Sequence, residues 1–312
     1  MTRLIRIGAR GSKLSLAQTE QVRAGLMAHG GGGATFEIVP ILTTGDRLQE
    51  GRLTEAGGKG LFTKELDEAL IEGRIDLAVH SLKDLPTRLP EGIELACVPE
   101  REDPRDAFVC LQAKTLNELP GGANVGTASL RRQAQTLFAR PDLGVVTLRG
   151  NVDTRLRKLE AGEADATFLA LAGLKRIGLE ARAASLIDPS EMPPAACQGA
   201  LAITARSADA TVRDLLKGFE QPTARIEIEA ERAFLDALDG SCRTPIGALA
   251  RVAGAHLSFI GEALTPDGTA RWRRTGEIAL GGDPIADARA LGLRLGGEIR
   301  DEAGDAFVTD SA

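Results

Sequence analysis

The chain has 312 residues, of which 43% are hydrophobic and 26% charged, and its net charge is −6 at neutral pH. These values exclude a disordered chain and leave room for two or three domains of about 100–200 residues each. The negative charge and the scarcity of aromatic residues, at 3%, argue against a nucleic-acid binder and an anionic-membrane binder. The four cysteines form no C-x-x-C pair and the three histidines are scattered, so we expect no metal site.

No stretch resembles a signal peptide or approaches the ~20 apolar residues of a membrane-spanning helix. We therefore expect a cytoplasmic protein with reduced thiols. Apolar runs alternating with turn residues predict the α/β class. In the first part of the chain they predict strands at 4–8, 36–42, 75–79 and 93–99 and helices at 12–29 and 62–72.

The first helix is expected to begin at Ser12 or at Ser15, the latter with Gln18 as a capping box. Arg10 lies in the turn before it, a corner where a helix start favours anions. The glycine-rich stretch 43–60 is long for a loop inside a domain, and we interpret it as a mobile lid.

The stretch 75–86 is the first candidate for chemistry. Its apolar part, 75–79, is short and continuous, as in a strand that is covered on both faces. His80, Ser81, Lys83 and Asp84 follow at its carboxyl end, which is where open α/β sheets bind ligands. A solvated turn with an exposed Lys–Asp pair is an equally good interpretation of this stretch alone.

The second candidate is an arginine-rich region. Residues 126–158 contain seven basic and two acidic side chains. Arginines follow three successive predicted strands, with helices expected to begin near Ser129 and Asn151. These arginines are Arg131 with Arg132, Arg149 with Arg155, and Arg176. Because arginine suits bidentate carboxylate recognition, we predict a ligand with several carboxylates or phosphates. No nucleotide-binding glycine motif follows a strand, which disfavours a nucleotide.

Two crossing segments predict a two-lobed clamp with a hinge. They are the charged stretch 100–106, which contains Pro104, and the stiff stretch 193–200. After a helix at 222–238, a tight turn carries Cys242 beside small and basic residues, which favours an accessible thiolate. Strands predicted at 247–253, 256–264 and 276–280 complete a small α+β domain. The predicted domains are 1–99 with 200–217, 100–199 and 218–312.

Taken together and in order, the motifs resemble the hydroxymethylbilane synthase (porphobilinogen deaminase) family over nearly the whole chain. The stretches that carry the resemblance are 10–12, 57–62, 80–84, 101–108, 129–132, 148–151, 172–176, 198–200 and Cys242 with 245–247.

The resemblance implies three domains, the first two like a two-lobed periplasmic binding protein and the third a small α+β domain. It implies a transferase of tetrapyrrole biosynthesis whose dipyrromethane cofactor is joined by a thioether to Cys242. Four porphobilinogen molecules are added head to tail with loss of ammonia, and water then frees hydroxymethylbilane. We expect a monomer that binds porphobilinogen and neither nucleic acid nor a membrane.

By the same resemblance, Asp84 is the catalytic carboxylate, which holds the pyrrole N–H and stabilises the cation left by ammonia. The residues expected to contact cofactor or substrate are Arg10, Ser12, Phe62, Lys83, Thr127, Ser129, Arg131, Arg132, Arg149, Arg155, Arg176 and Gln198. The chain departs from the family pattern at Ala128, where a second serine is frequent, at Glu55, where lysine is frequent, and at Ser241, where glycine is common.

Two rival functions remain open. A non-catalytic anion receptor could use the same clamp, because a fold does not determine a function. A nucleic-acid binder could use the arginines, against the net charge and the lack of aromatics. Cys242 and Asp84 distinguish the enzyme from the anion receptor, since a carboxylate receptor requires neither residue.

Overall fold

The computed structural model describes residues 3–29, 33–47, 63–238, 244–304 and 306–307. The predicted contact Phe62, the predicted anchor Cys242 and most of the predicted lid 43–60 lie outside these ranges. Contacts divide the chain into two compact units. Unit 1 comprises Met1–Glu102 with Ala200–Arg225, and unit 2 comprises Asp103–Gly199 with Ile226–Ala312. The division into three domains stays a prediction.

The elements alternate as an α/β chain should. The strands are β1 Leu4–Arg10, β2 Thr35–Ile41, β3 Leu77–Ser81, β4 Ile93–Cys97, β5 Asp106–Cys110, β6 Asn124–Gly126, β7 Gly144–Val146, β8 Ala166–Ala170, β9 Ser185–Leu186, β10 Leu201–Arg206, β11 Ile246–Ala253, β12 His256–Leu264 and β13 Arg271–Ala279. The helices are α1 Lys13–Ala28, α2 Thr44–Arg47, α3 Lys64–Ile71, α4 Leu130–Ala139, α5 Val152–Glu160, α6 Leu171–Arg176, α7 Ala210–Leu216, α8 Pro222–Ala237 and α9 Pro284–Ala303.

Unit 1 is built on a mixed five-stranded sheet in the order β2-β1-β3-β10-β4. Strand β1 is parallel to β2 and β3, whereas β10 is antiparallel to β3 and β4. Apolar clusters cover both faces: Leu77 and Val79 pack with residues of α1 and α7, whereas Ala78 packs with residues of α3. The predicted strand covered on both faces is thus present, shifted two residues toward the carboxyl end from 75–79.

A buried carboxylate, Asp76, stands just before β3. Arg6 binds it through Nε and Nη2, each at 3.0 Å, and Nη2 of Arg206 lies 3.4 Å from Oδ1. Burial raises the pKa of Asp76, but the hydrogen bonds and charge of Arg6, with the charge of Arg206, outweigh it and lower that pKa. This pairing ties β1 and β10 to the residue that precedes the amino end of β3.

Unit 2 contains a five-stranded sheet, β7-β6-β8-β5-β9, and a three-stranded antiparallel sheet, β11-β12-β13. In the smaller part, α8 and α9 approach closely because Gly292 has no side chain. A Cβ at Gly292 would lie 2.1 Å from the carbonyl oxygen of Ala230. The predicted α/β class with a small third sheet is confirmed, although β13 begins at Arg271 rather than at 276. Among the residues that the structure describes, no helix combines the length and the apolar character needed to span a bilayer.

Candidate active site

The carboxyl ends of β1 and β3 border a cavity of about 70 Å³ in unit 1. The lining residues are Arg10, Ser12, Leu14, Ser15, Gln18, Thr63, Val79, His80, Ser81 and Asp84. Neighbouring parallel strands end at the same edge of a sheet, which is where α/β proteins bind ligands. The structure therefore brings together three of the predicted site residues, Arg10, Ser12 and Asp84, in one cavity.

Helix α1 forms one wall of the cavity. Oγ of Ser15 accepts a hydrogen bond from the backbone N–H of Arg10 at 3.1 Å, and Nε2 of Gln18 donates to Oγ of Ser81 at 2.8 Å. The predicted capping box is wrong, because Ser12 is the N-cap and its side chain accepts from the N–H of Ser15. Ser15 and Gln18 were not predicted as site residues. Their three-residue spacing, which places both on one helix face, is the sequence signal that could have identified them.

His80 is buried in the wall of the same cavity, with Nε2 3.1 Å from Oγ1 of Thr204. Burial, and secondly the positive charge of Arg10, lower the pKa of His80 to about 4. The imidazole is therefore neutral at neutral pH and serves as a hydrogen-bonding group.

Acidification should destabilise the chain through His80. The unfolded imidazole titrates near 6.5 and the folded one near 4, so between these values the unfolded chain binds more protons and stability falls as pH falls. Lowering the pH from 7 to 5 should cost the wild type about 2 kcal/mol more than His80→Gln, whose amide can still bond Thr204.

Urea unfolding of the wild type and of His80→Gln at both pH values measures the difference in their losses of unfolding free energy. Hydrogen exchange of the β3 amides provides a second measurement. Asp67 acts in the opposite direction, since burial raises its pKa to about 6, but it is present in both proteins and cancels. Equal losses in wild type and variant would contradict a neutral buried imidazole.

Asp84 ends a short 3₁₀ turn, Leu82–Asp84, that follows β3. Leu82 is buried, and its N–H donates to the carbonyl oxygen of Ala200 at 3.0 Å. This anchor holds the turn, and the exposed Asp84 side chain lines the cavity. Lys83 is half-buried, and the lining of the cavity does not include it.

Unit 2 holds the hydroxyl groups of the predicted arginine-rich site. Ser129 is the N-cap of α4, as predicted, and its Oγ accepts from the N–H of Arg132 at 3.5 Å. Oγ1 of the buried Thr127 accepts from the N–H of Ser129 at 3.1 Å. These bonds position the first turn of α4, whose helix dipole favours an anion at that end.

Arg131 and Arg132 are 4% and 5% exposed and share one counter-ion, Asp106. Nη2 of Arg131 lies 2.9 Å from Oδ2 of Asp106, and Nη2 of Arg132 lies 2.8 Å from Oδ1. Burial opposes ionisation of Asp106, but the two guanidinium charges hold the pKa of this carboxyl well below its usual range. The sequence suggested arginines facing a ligand, whereas the fold pairs both internally. Their part in binding stays a prediction.

Arg149 and Arg155 lie around the start of α5. Asn151 is the N-cap of this helix, as predicted, and Nε of Arg155 donates to the carbonyl oxygen of Gly150 at 2.8 Å. Arg149 is half-buried, and its buried Nε has no hydrogen-bond partner within the described ranges. Such a donor can be satisfied by a ligand oxygen.

Arg176 and Gln198 are placed by the segment before β10. Nη2 of Arg176 donates to the carbonyl oxygen of Gly199 at 2.8 Å. Gln198 is 0% exposed, and its Nε2 donates to the carbonyl oxygen of Pro104 at 2.7 Å and to Oδ1 of Asp106 at 2.8 Å. Gln198 therefore reaches the carboxylate that holds Arg131 and Arg132.

Of the described cysteines Cys97, Cys110 and Cys197, only Cys110 is not buried. Burial raises the pKa of Cys97, which makes this thiol a poor nucleophile. No group of three or more His, Cys, Asp or Glu side chains in the described part of the chain is arranged to hold a metal ion.

Two family models match the chain. "Porphobilinogen deaminase, dipyromethane cofactor binding domain" matches residues 5–214, and "Porphobilinogen deaminase, C-terminal domain" matches residues 225–301. The chain is 56% identical over 315 residues to a porphobilinogen deaminase of Caulobacter vibrioides, with 97% of each chain covered. It is 54% identical over 317 residues to that of Phenylobacterium zucineum, with 98% of each chain covered.

Two solved structures of binding proteins are similar to the chain at low sequence identity. One is an ABC transporter substrate-binding protein from Coxiella burnetii, with a TM-score of 0.44, 14% identity, and coverage of 70% of this chain and 93% of that chain. Another is a nutrient binding protein from Burkholderia cenocepacia bound to methionine, with a TM-score of 0.43, 14% identity, and coverage of 71% and 93%.

Proposed function

This chain belongs to the porphobilinogen deaminase family, and we propose that Asp84 is its catalytic carboxylate and Cys242 the anchor of its cofactor. With the family come the enzyme class, a transferase, the substrate porphobilinogen, and the dipyrromethane cofactor for which the matched domain is named. The proposed reaction joins four porphobilinogen molecules head to tail, releases one ammonia for each, and frees hydroxymethylbilane with water.

The residues of unit 2 fit a cofactor that carries several carboxylates. The start of α4 presents a helix terminus beside Arg131 and Arg132, and these two guanidinium groups share a single carboxylate, so positive charge remains. Buried Nε atoms of Arg131 and Arg149 lack hydrogen-bond partners among the described residues. Orphaned cationic donors of this kind suit carboxylate oxygens. When bound, dipyrromethane supplies the pyrrole carbon to which the first porphobilinogen is joined.

The observation that carries the proposal is the cavity shared by Asp84, Arg10 and Ser12. Arg10 and the hydroxyl of Ser12 can bind a carboxylate of porphobilinogen and place its ring over the carboxyl end of β3. The Asp84 carboxylate can then accept the pyrrole N–H. As ammonia leaves, positive charge develops on the substrate, and a preorganised anion stabilises that charge.

The neutral state of His80 is consistent with Arg10 binding a substrate carboxylate while Asp84 stabilises the developing cation. An imidazolium beside Arg10 would add a second positive charge to the wall of the cavity and oppose the developing cation. Burial keeps His80 neutral, so Asp84 acts against one cationic group, Arg10, among the lining residues. Gln18 and Ser15 hold the adjoining backbone and hydroxyl groups in place.

In the proposed assignment, Lys83, Thr127, Ser129, Arg155 and Arg176 assist in holding the acidic side chains of cofactor and product, with Phe62 near the lid. Gln198, predicted from the sequence as a contact, acts through Asp106 instead. We also propose a cytoplasmic monomer without a nucleic-acid or membrane partner. The net charge of −6 supports the absence of polyanionic partners.

Intact mass and turnover together test the function. The purified chain should exceed its sequence mass by two pyrrole units, give a colour with an aldehyde reagent for pyrroles, and release ammonia from porphobilinogen. An unmodified mass together with no ammonia release would overturn the proposal.

A further inference from the structure

One buried carboxylate, Asp106 at the start of β5, gathers donors from three directions and is 1% exposed. Its Oδ1 accepts from Nη2 of Arg132 and from Nε2 of Gln198, both at 2.8 Å. Its Oδ2 lies 2.9 Å from Nη2 of Arg131 and 3.4 Å from Nε of Arg132. Both oxygens are thus engaged by the protein, and Asp106 is not available to a ligand.

This carboxylate allows two cations to stand side by side in the interior. Adjacent guanidinium groups repel each other strongly where solvent screening is weak. Asp106 lies between Arg131 and Arg132 and reduces their combined formal charge from two to one. Glu262 also acts on Arg131, but its charge is already paired with that of Arg273. The remaining positive charge is what an acidic ligand would meet.

Other contacts fix the direction of each guanidinium. Nη1 of Arg131 donates to Oε1 of Gln135 at 2.8 Å, and Nη1 of Arg132 donates to the carbonyl oxygen of Phe168 at 2.7 Å. Nε of Arg131 is buried and has no hydrogen-bond partner among the described residues. One donor of the pair is therefore held ready in a defined orientation, and a ligand carboxylate can satisfy it.

We propose that Asp106 is a positioning residue that holds Arg131 and Arg132 in the orientation that receives a ligand carboxylate, without contacting the ligand. This role rests on the proposed function. Side chains ordered in advance lower the cost of ordering them when the ligand binds. Gln198 takes part by fixing Asp106, and its complete burial makes this role more fitting than direct contact with a ligand.

The test compares Asp106→Asn with a matched variant, Asp76→Asn. Asp76 is also a buried carboxylate that holds two arginines, Arg6 and Arg206, and no ligand contact is assigned to any of the three. Each substitution removes the charge of a carboxylate that pairs with two arginines, although Arg6 and Arg206 are more exposed than Arg131 and Arg132. Apo-proteins from cells unable to make porphobilinogen are mixed with porphobilinogen, and the gain of two pyrrole units is followed by intact mass, with Tm recorded for each.

Asp106→Asn should gain the two pyrrole units about 10- to 100-fold more slowly than the wild type, because small displacements of binding groups lower reaction rates by factors of this size. Asp76→Asn should load at nearly the wild-type rate despite its own loss of Tm. Equal slowing in both variants would make Asp106 merely structural and overturn the positioning role. If Asp106→Asn gains the two pyrrole units as fast as the wild type, the positioning role is overturned and the proposed function stands. If the wild type itself gains no mass, the proposed function is overturned.

A second variant keeps the test decisive if Asp106→Asn does not fold. Gln198→Leu retains both ion pairs of Asp106 and removes one neutral hydrogen-bond donor from this carboxylate. It should load more slowly than the wild type at a Tm no lower than that of Asp76→Asn. Wild-type loading by Gln198→Leu in that case would overturn the proposal.

Discussion

Replacing Asp84 with asparagine should slow ammonia release from porphobilinogen by about 100- to 10,000-fold. Asparagine keeps the size of the side chain and one acceptor oxygen, but it lacks the negative charge that opposes the cation formed as ammonia leaves. The fold should persist because Asp84 is exposed, and exposed substitutions change the free energy of unfolding by roughly 0.5 kcal/mol or less.

The rate must be expressed per molecule that carries the cofactor, since assembling the cofactor uses the same chemistry. Arg10 and Ser12 remain, so KM for porphobilinogen should change far less than kcat. Asp214→Asn is the matched control: Asp214 is an exposed aspartate of unit 1 that pairs with Lys217 at 2.6 Å and does not line the cavity. A kcat of Asp84→Asn close to that of Asp214→Asn would remove Asp84 from the mechanism.

Cys242→Ser should remove the covalent adduct completely and with it the turnover. A thioether forms by displacement of ammonia from the aminomethyl carbon by sulfur, with the thiol proton passing to the leaving amine. A serine hydroxyl is far less ionised and less nucleophilic near neutral pH than a thiol. Intact mass should equal the sequence mass of the variant, and the pyrrole colour reaction should be negative.

Cys110→Ser provides the control for the general loss of a thiol. Cys110 is the described cysteine that is not buried, so it is the alternative anchor most open to substrate. This variant should keep the adduct and the turnover of the wild type. An adduct that persists in Cys242→Ser and disappears in Cys110→Ser would move the attachment point to Cys110.

Much of the secondary structure could be predicted because its signals are local. Capping side chains act within one helical turn, so Ser129 and Asn151 marked the starts of α4 and α5 from the sequence alone. Apolar runs predicted the buried strands, and the strand-end rule directed attention to Asp84. Some errors lay at the ends of elements, such as β3 beginning at Leu77 and β13 at Arg271, whereas helix α7 was not predicted at all.

The partners of the ionised groups could not be predicted in the same way. The stretch 100–106 was interpreted as a charged hinge, yet its last residue, Asp106, begins a buried strand and faces arginines of α4. Gln198 reaches the same carboxylate from 92 positions along the chain. No sequence pattern specifies such a contact, because it depends on how separate strands pair.

By itself, the sequence determined the order of the elements, the family, and the residue types available for the chemistry, since all of these follow from local patterns and motifs. Only the tertiary structure decided which cations are already paired and which polar groups share a cavity. In unit 1, Arg10 lines the cavity with Asp84; in unit 2, Asp106 holds Arg131 and Arg132 in the interior. It also made His80 neutral, because burial and a nearby charge depend on distances in space rather than on spacing in the chain.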